Sequence, residues 1–486
     1  METIRGKKDA YLTVYLALSM AVLLALCLVL LEGARRNGAA LEAECIAEVS
    51  LNSILAEYHK ELFEQYNLFA LDASYGTNYP SPANTERHLC HYLQRNFSLE
   101  DLFLSDYWYR DFFALTLKEA SLTGISILTD QEGGVFRRRA VEAIEADVGL
   151  TVLKELSEWL KTVEINSLED GSVEQKKAEI DRQIQEYNGK EIQLPDGQWK
   201  VVEIENPTWK LEENKRKGIL KLVIEDQEQI SQRSIAQEAL IMDRIKKGEA
   251  NSGNMDIHIP EEESLADQFL FREYLMRYMG NYGAENAEGA LLYQLEYLIA
   301  GKENDTENLR GVANRLLALR EAANALYLFS DSEKSMEAEL VAGVIATLLA
   351  VPEITELLKV SLLLGWAYAE SLYDVKTLLE GGKIPLIKDD ATWHFGLQGA
   401  LEANISNENF REETGLSYED YLRIFLMLTD TDKLTGRAMN LVEADIRLTA
   451  GNADFRLDGC FDRIEAYICV ESAYGYQFEL TRQKSY

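Results

Sequence analysis

Residues Ala10 to Leu31 form an unbroken run of 22 residues without a charged side chain. As a helix at about 1.5 Å per residue the run is about 33 Å long, which matches the hydrocarbon thickness of a bilayer. A helix satisfies its own backbone polar groups, as lipid demands. A cleaved secretory peptide has a shorter apolar region, about 7–15 residues, ahead of a small-residue cleavage site. The run therefore predicts an uncleaved signal anchor over residues 1–35. Ala338 to Val351 is too short for a second span and carries Glu339. That segment, and the one around Leu362 to Leu372 with Glu370, are expected to be core helices.

The flanks set an orientation. Arg5, Lys7 and Lys8 precede the span, and Arg35 and Arg36 follow it with Glu32 close by. This bias points weakly to a cytoplasmic N-terminus. Residues 37–486 hold 44 basic and 79 acidic side chains, a net charge of −35. Such an acidic body is repelled by anionic lipid, and it removes nucleic acid as a partner. The expected location is a single-pass cell-membrane protein with an extracytoplasmic body.

Only 7 prolines interrupt 486 residues, so long helices are expected. Beyond the span, Leu41, Cys45, Val49, Leu51, Ile54, Leu55, Tyr58, Leu62, Tyr66 and Phe69 recur mostly at steps of three and four. This predicts one nearly continuous helix from 9 to 68, with 36–72 as an amphipathic stalk and Gly33 and Gly38 as places where it loosens. Residues 73–255 read as an α+β domain. Strands are expected within Phe112 to Thr129 and at Gly218 to Ile224, and a hairpin around Leu194 to Gln198. Asn251 to Glu263 reads as a boundary loop. Residues 256–450 are helical, with Thr306 and Asp331 as N-caps and Gly280 and Gly381 as stops. Residues 451–486 return to strand alternation, with Tyr474–Gly475 turning a hairpin. The fold class is thus α+β, mostly helical, with an N-terminal transmembrane helix and C-terminal strands.

Chemical signals are sparse. His88, Cys90 and His91 lack the further ligands of a zinc site. Asp430–Thr431–Asp432 opens like a calcium loop, but Leu434 and Thr435 stand where an oxygen ligand and the turn glycine belong, and a helix cap suits it better. Gly381–Gly382–Lys383 lacks the phosphate-loop spacing. GxSxG and HExxH do not occur. No catalytic residue, cofactor or metal is assigned. Cys45, Cys90, Cys460 and Cys469 lie outside the span and are candidate disulfide cysteines, with three connectivities open.

Several blocks together resemble a bacterial family of unknown function found in clostridia and their relatives, often encoded near tight-adherence (Tad, or Flp) pilus genes. They are Thr13–Leu16, Leu55–Asp72, Tyr293–Leu309, Trp366–Lys388, Tyr418–Asp430, Arg437–Arg447 and Phe455–Cys460. The resemblance implies a membrane-anchored extracytoplasmic protein distantly similar to TadE- and TadG-like pseudopilins, with no active site to transfer. A prepilin-peptidase site has glutamate five residues after its glycine; here Tyr11 stands five after Gly6.

The sequence thus points to an accessory or pseudopilin-like envelope protein whose partners are membrane lipid and proteins met through the N-terminal helix. Thr13, Ala17, Ser19, Ala21 and Ala25 are its packing positions, and Glu32 with Arg35 and Arg36 an interfacial charge group. The rival readings are a tethered ectodomain that binds wall polymer or peptide, and an extracellular hydrolase.

Overall fold

The computed structural model describes residues 2–77, 79–97, 113–144, 150–169, 171–193, 198–204, 218–255, 264–284, 288–402 and 414–486. The N-terminal half contains α1 (Glu2–Leu55), α2 (Lys60–Tyr66), β1 (Leu71–Asp72), α3 (Pro82–Phe97), β2 (Thr116–Ile127), α4 (Asp130–Ile144), α5 (Leu150–Ile165), α6 (Ser172–Tyr187), β3 (Glu191–Gln193), β4 (Trp199–Val201), α7 (Ile219–Val223) and α8 (Ile241–Lys247). The remainder contains α9 (Leu265–Tyr278), α10 (Gln294–Ala300), α11 (Asp305–Ser330), α12 (Ser332–Leu348), α13 (Thr355–Leu379), α14 (Leu397–Glu402), α15 (Tyr418–Leu428), α16 (Thr431–Arg447), β5 (Cys460–Glu471) and β6 (Gln477–Ser485). The chain is mostly helical α+β, as expected.

Two compact units emerge, each discontinuous in sequence. The first comprises Met1–Arg139, Glu249–Ile259 and Thr449–Tyr486; the second comprises Ala140–Gly248 and Pro260–Leu448. This division differs from five consecutive segments. The C-terminal strands are not a separate hairpin, because β5 is the hub of the first unit's antiparallel sheet and pairs with β1, β2 and β6. Residues 254 and 255 hang on the same sheet through hydrogen bonds from their amides to Ile125 O, so part of the expected boundary loop belongs there.

In the first unit, alternate residues of β5 (Ile464, Ala466, Ile468, Val470) enter one core with α1 and α3. The face of α1 that meets them is Ala39, Ala43, Ala47, Leu51 and Ile54, all buried. The expected stripe was partly misplaced: Leu41 is 63% and Val49 53% exposed. A helix lying on a sheet needs small side chains for close approach, so alanine outranks leucine at the contact. Gly38 does not loosen the helix; a Cβ there would fall 2.6 Å from Phe113 Cζ. The long helix ends at Leu55 rather than 68. His59 begins a new helix, its Nδ1 accepting the Leu62 amide at 3.2 Å.

The second unit is built around α13, of which nearly every residue from Leu358 to Leu379 is buried. α11 and α12 pack along it. Asp331 caps α12 as expected, accepting the amides of Glu333 and Lys334. The cap of α11 is Asn304 rather than Thr306, whose hydroxyl donates to Ser231 O instead. Gly218 to Ile224 forms α7, not a strand. Its buried residues Ile219, Leu220 and Val223 fit a helical face, and so short an apolar run does not discriminate between the two. β3 and β4 pair as the expected hairpin, whose turn lies outside the described residues.

Candidate membrane anchor and interaction surfaces

The first surface is α1 itself. From Tyr11 to Leu31 its large apolar side chains are 54–77% exposed, and the helix is long and apolar enough to cross a membrane. Burying such a belt in lipid removes a penalty of about 25 cal/mol per Å² of apolar surface. Thr13, Ala17, Ala21 and Ala25 follow at steps of four and share one face. Ser19 lies off that face and donates its hydroxyl to Leu16 O at 3.0 Å.

Where the apolar run ends, polar contacts begin. Glu32 and Arg35 form an exposed ion pair at 3.7 Å. The Arg35 guanidinium lies 4.2 Å from the ring centre of Tyr474, and that of Arg36 lies 6.0 Å from Tyr476. Farther along the helix Glu44 pairs with Arg482 at 3.0 Å and Glu48 with Lys484 at 2.9 Å. The β5–β6 hairpin is therefore clasped to α1 from its tip to its end. Sequence reading identified the arginines and the turn but not their meeting, which joins residues more than 430 positions apart.

The cysteines make no disulfide. Cys45 is exposed on α1, Cys90 Sγ donates to Ala120 O, and Cys460 and Cys469 lie at opposite ends of β5. His88 stacks on Tyr75 and meets Glu57 Oε2 at 3.1 Å, while His91 lies beside Tyr92. No group of three or more metal-ligating side chains forms among the described residues.

The second surface is a polar cleft of about 370 Å³ in the first unit, between the turn before α2 and the segment before β5. Tyr58, Glu61, Asp454 and Phe455 are among its walls. Several polar groups in and beside it are already engaged. His59 Nε2 meets Asn452 Oδ1 at 3.2 Å, Tyr92 donates to Glu57 Oε1 at 2.7 Å, and Ser74 Oγ donates to Asp72 Oδ2 at 2.7 Å. Burial pushes the Tyr75 hydroxyl up, away from ionisation. The Ser74 hydroxyl thus has a carboxylate but no histidine as its partner, an arrangement suited to recognition more than to nucleophilic attack.

The third surface was not anticipated. α12 buries Ala338, Ala342 and Ala346 but turns Met336, Leu340, Val344 and Leu348 outward, each 61–74% exposed. Their steps of four make a continuous apolar stripe along a groove of about 810 Å³ that reaches Thr355. The segment expected to be a core helix is therefore buried on one side only. The signal was present in the spacing, but alanine also counts as apolar, which made the helix look greasy all round. Glu333 and Glu337 are exposed on the same helix, and Glu339, which lines the groove, holds Lys359 at 2.8 Å.

Behind this surface the second unit is braced by a fully buried ionic network. Arg320 Nε donates to Asp374 at 2.9 Å, and Lys388 Nζ lies 2.6 Å from Asp374 and against Glu370. Glu370 also accepts the amides of His394 and Phe395. Burial opposes ionisation of Asp374, yet the charges of Arg320 and Lys388 hold its carboxyl below the ordinary range. The network pins the stretch after α13 to the helices, a structural assignment consistent with balanced charge and complete burial.

No curated protein and no solved structure matches the chain. One family model does match, over residues 197–472, a stretch that runs from the β3–β4 hairpin through the helical unit and ends just after β5. That stretch is more than half of the molecule, and the chain belongs to this family of unknown function, DUF5702.

Proposed function

We propose that the chain is a membrane-anchored extracytoplasmic protein of the cell envelope that works by holding partner proteins, as an accessory or pseudopilin-like component of a Tad-type pilus or secretion assembly. The observation that supports it most is the continuity of α1, whose apolar span and alanine face belong to one unbroken helix. A helix of this kind sets the height and rotation of the folded unit relative to lipid, whereas a flexible tether sets neither. The pilus assignment rests on the sequence resemblance; the family match names no activity.

The groove on α12 supports the interaction role. Its apolar stripe, on a helix that also exposes Glu333 and Glu337, suits an amphipathic helix of a partner with basic flanks. The test is crosslinking in native membranes followed by identification of the captured proteins. Capture of pilus or secretion components by the wild type, lost in L340D/V344D, supports the reading. Retention of glycan with no protein partner removes it. Orientation is tested with a C-terminal tag: the proposal requires its digestion by protease in intact cells, and protection until lysis would put the body in the cytoplasm.

The cleft favours the tethered-ectodomain reading as a second possibility for the same anchored chain. Tyr58 and Phe455 beside Glu61 and Asp454 combine aromatic faces with carboxylates, a lining that suits a cationic peptide. Substitution D454N should then weaken retention on an immobilised basic peptide while membrane partners stay bound.

A further inference from the structure

The tip of the β5–β6 hairpin lies where the apolar part of α1 stops. Arg35 is four residues beyond Leu31, so its position is about 6 Å past the apolar run, a depth that corresponds to the headgroup layer of a bilayer. Tyr474 is 51% exposed at this level, although it is a large aromatic residue, and Tyr476 is half-buried. The turn that presents them is tightly specified. Gly475 adopts φ +80°, its amide donates to Ser472 O at 2.9 Å, and the Ser472 amide donates to Tyr476 O at 2.8 Å. The arginines cover part of the two rings, at 4.2 and 6.0 Å, and remain exposed themselves. The ion pairs of Glu44 with Arg482 and Glu48 with Lys484 keep the strand on the helix, so the tip cannot swing away without breaking them.

Two tyrosines and two arginines gathered at one level beside the end of a membrane-length helix have the chemistry of an interfacial belt. Tyrosine rings reside among lipid headgroups with the hydroxyl toward water, and guanidinium groups pair with lipid phosphate. We propose that the β5–β6 turn is a second membrane contact, in which Tyr474 and Tyr476 enter the headgroup layer and Arg35 and Arg36 bind lipid phosphate. The partner is a lipid surface carrying phosphodiester headgroups. The inference rests on the anchor reading and extends it from one helix to a two-point seat. Such a seat restrains the first unit against tilting about the helix.

The test uses the full chain reconstituted into vesicles of phosphatidylcholine and phosphatidylglycerol, with and without lipids brominated near the headgroup. The variant is Y474W, and the wild type supplies the background of the native tryptophans. The fluorescence added by Y474W should fall by about half or more in brominated vesicles and resist an aqueous quencher such as acrylamide. If the chain floats with the vesicles but the added indole is unquenched by bromine and open to acrylamide, the second contact is overturned and the anchor stands. If the chain fails to float, the anchor and this inference fall together. R35Q/R36Q in the Y474W background separates the roles: bromine quenching of the added indole should fall by about half or more, and unchanged quenching removes the arginines from the contact.

Discussion

Glu296 is a carboxyl with no counter-charge against it among the described residues. It is fully buried on α10, accepts the Tyr418 hydroxyl at 2.8 Å and the Tyr282 amide at 2.9 Å, and its second oxygen has no hydrogen-bond partner among the described residues. Burial pushes its pKa from the ordinary 4.5 up to about 7. Between those values the folded chain keeps a proton that the unfolded chain releases. Stability contributed by this site is therefore present at low pH and is lost as pH rises through that window. Glu296→Gln removes the titration. Relative to the wild type it should gain on the order of 2–3 kcal/mol between pH 5 and pH 8, read from chemical unfolding at the two pH values. Asp374 presents the opposite case, a buried carboxylate between two cations. Asp374→Asn should destabilise the second unit by about 3–5 kcal/mol, because Arg320 keeps its charge and loses its partner. A variant as stable as the wild type in urea would show that the network contributes nothing.

At the level of elements, α1 and α12 use alanine in the same way. Each sets a row of alanines against its neighbours and leaves larger residues elsewhere. In α1 the row lies on a sheet, so enlarging it should be costly: A43L should lower the stability of the first unit by about 1–3 kcal/mol and speed its proteolysis. In α12 the larger residues face outward, so L340D/V344D should change stability by no more than about 0.5 kcal/mol. A stable double variant that still captures every wild-type partner would remove the groove as a docking surface. The helices themselves were legible in the sequence because α12, α13 and α16 carry their caps and stops at Asp331, Gly381 and Asp430. α7 was not, since five residues hold too little periodicity to choose between helix and strand.

For the whole molecule, the sheet of the first unit is closed only when β5, near the C-terminus, inserts between β2 and the strands on its other edge. The chain passes between the two units four times, before Ala140, after Gly248, before Pro260 and after Leu448. Deleting residues 2–36 should release the folded remainder into the soluble fraction, while the full chain should require detergent. Sedimentation after alkaline carbonate extraction measures both. Truncation after Leu448 removes the hub strand and should unfold the first unit, whose proteolysis should become rapid.

The anchor could be read from the sequence alone, because crossing lipid depends on a local property: enough consecutive apolar residues for a helix to satisfy its own backbone. The helical character, the N-cap at Asp331 and the C-terminal turn at Gly475 were local for the same reason. The placement of Arg35 against Tyr474, the bracing of Asp374 by Lys388 and the outward turn of Leu340 required the tertiary structure. Each depends on which elements become neighbours, and pairing between distant parts of the chain leaves no periodic trace in either part. The alanines of α1 and α12 make the same point: composition marks them as apolar, and only the packed neighbour decides whether the small face or the large one is inside.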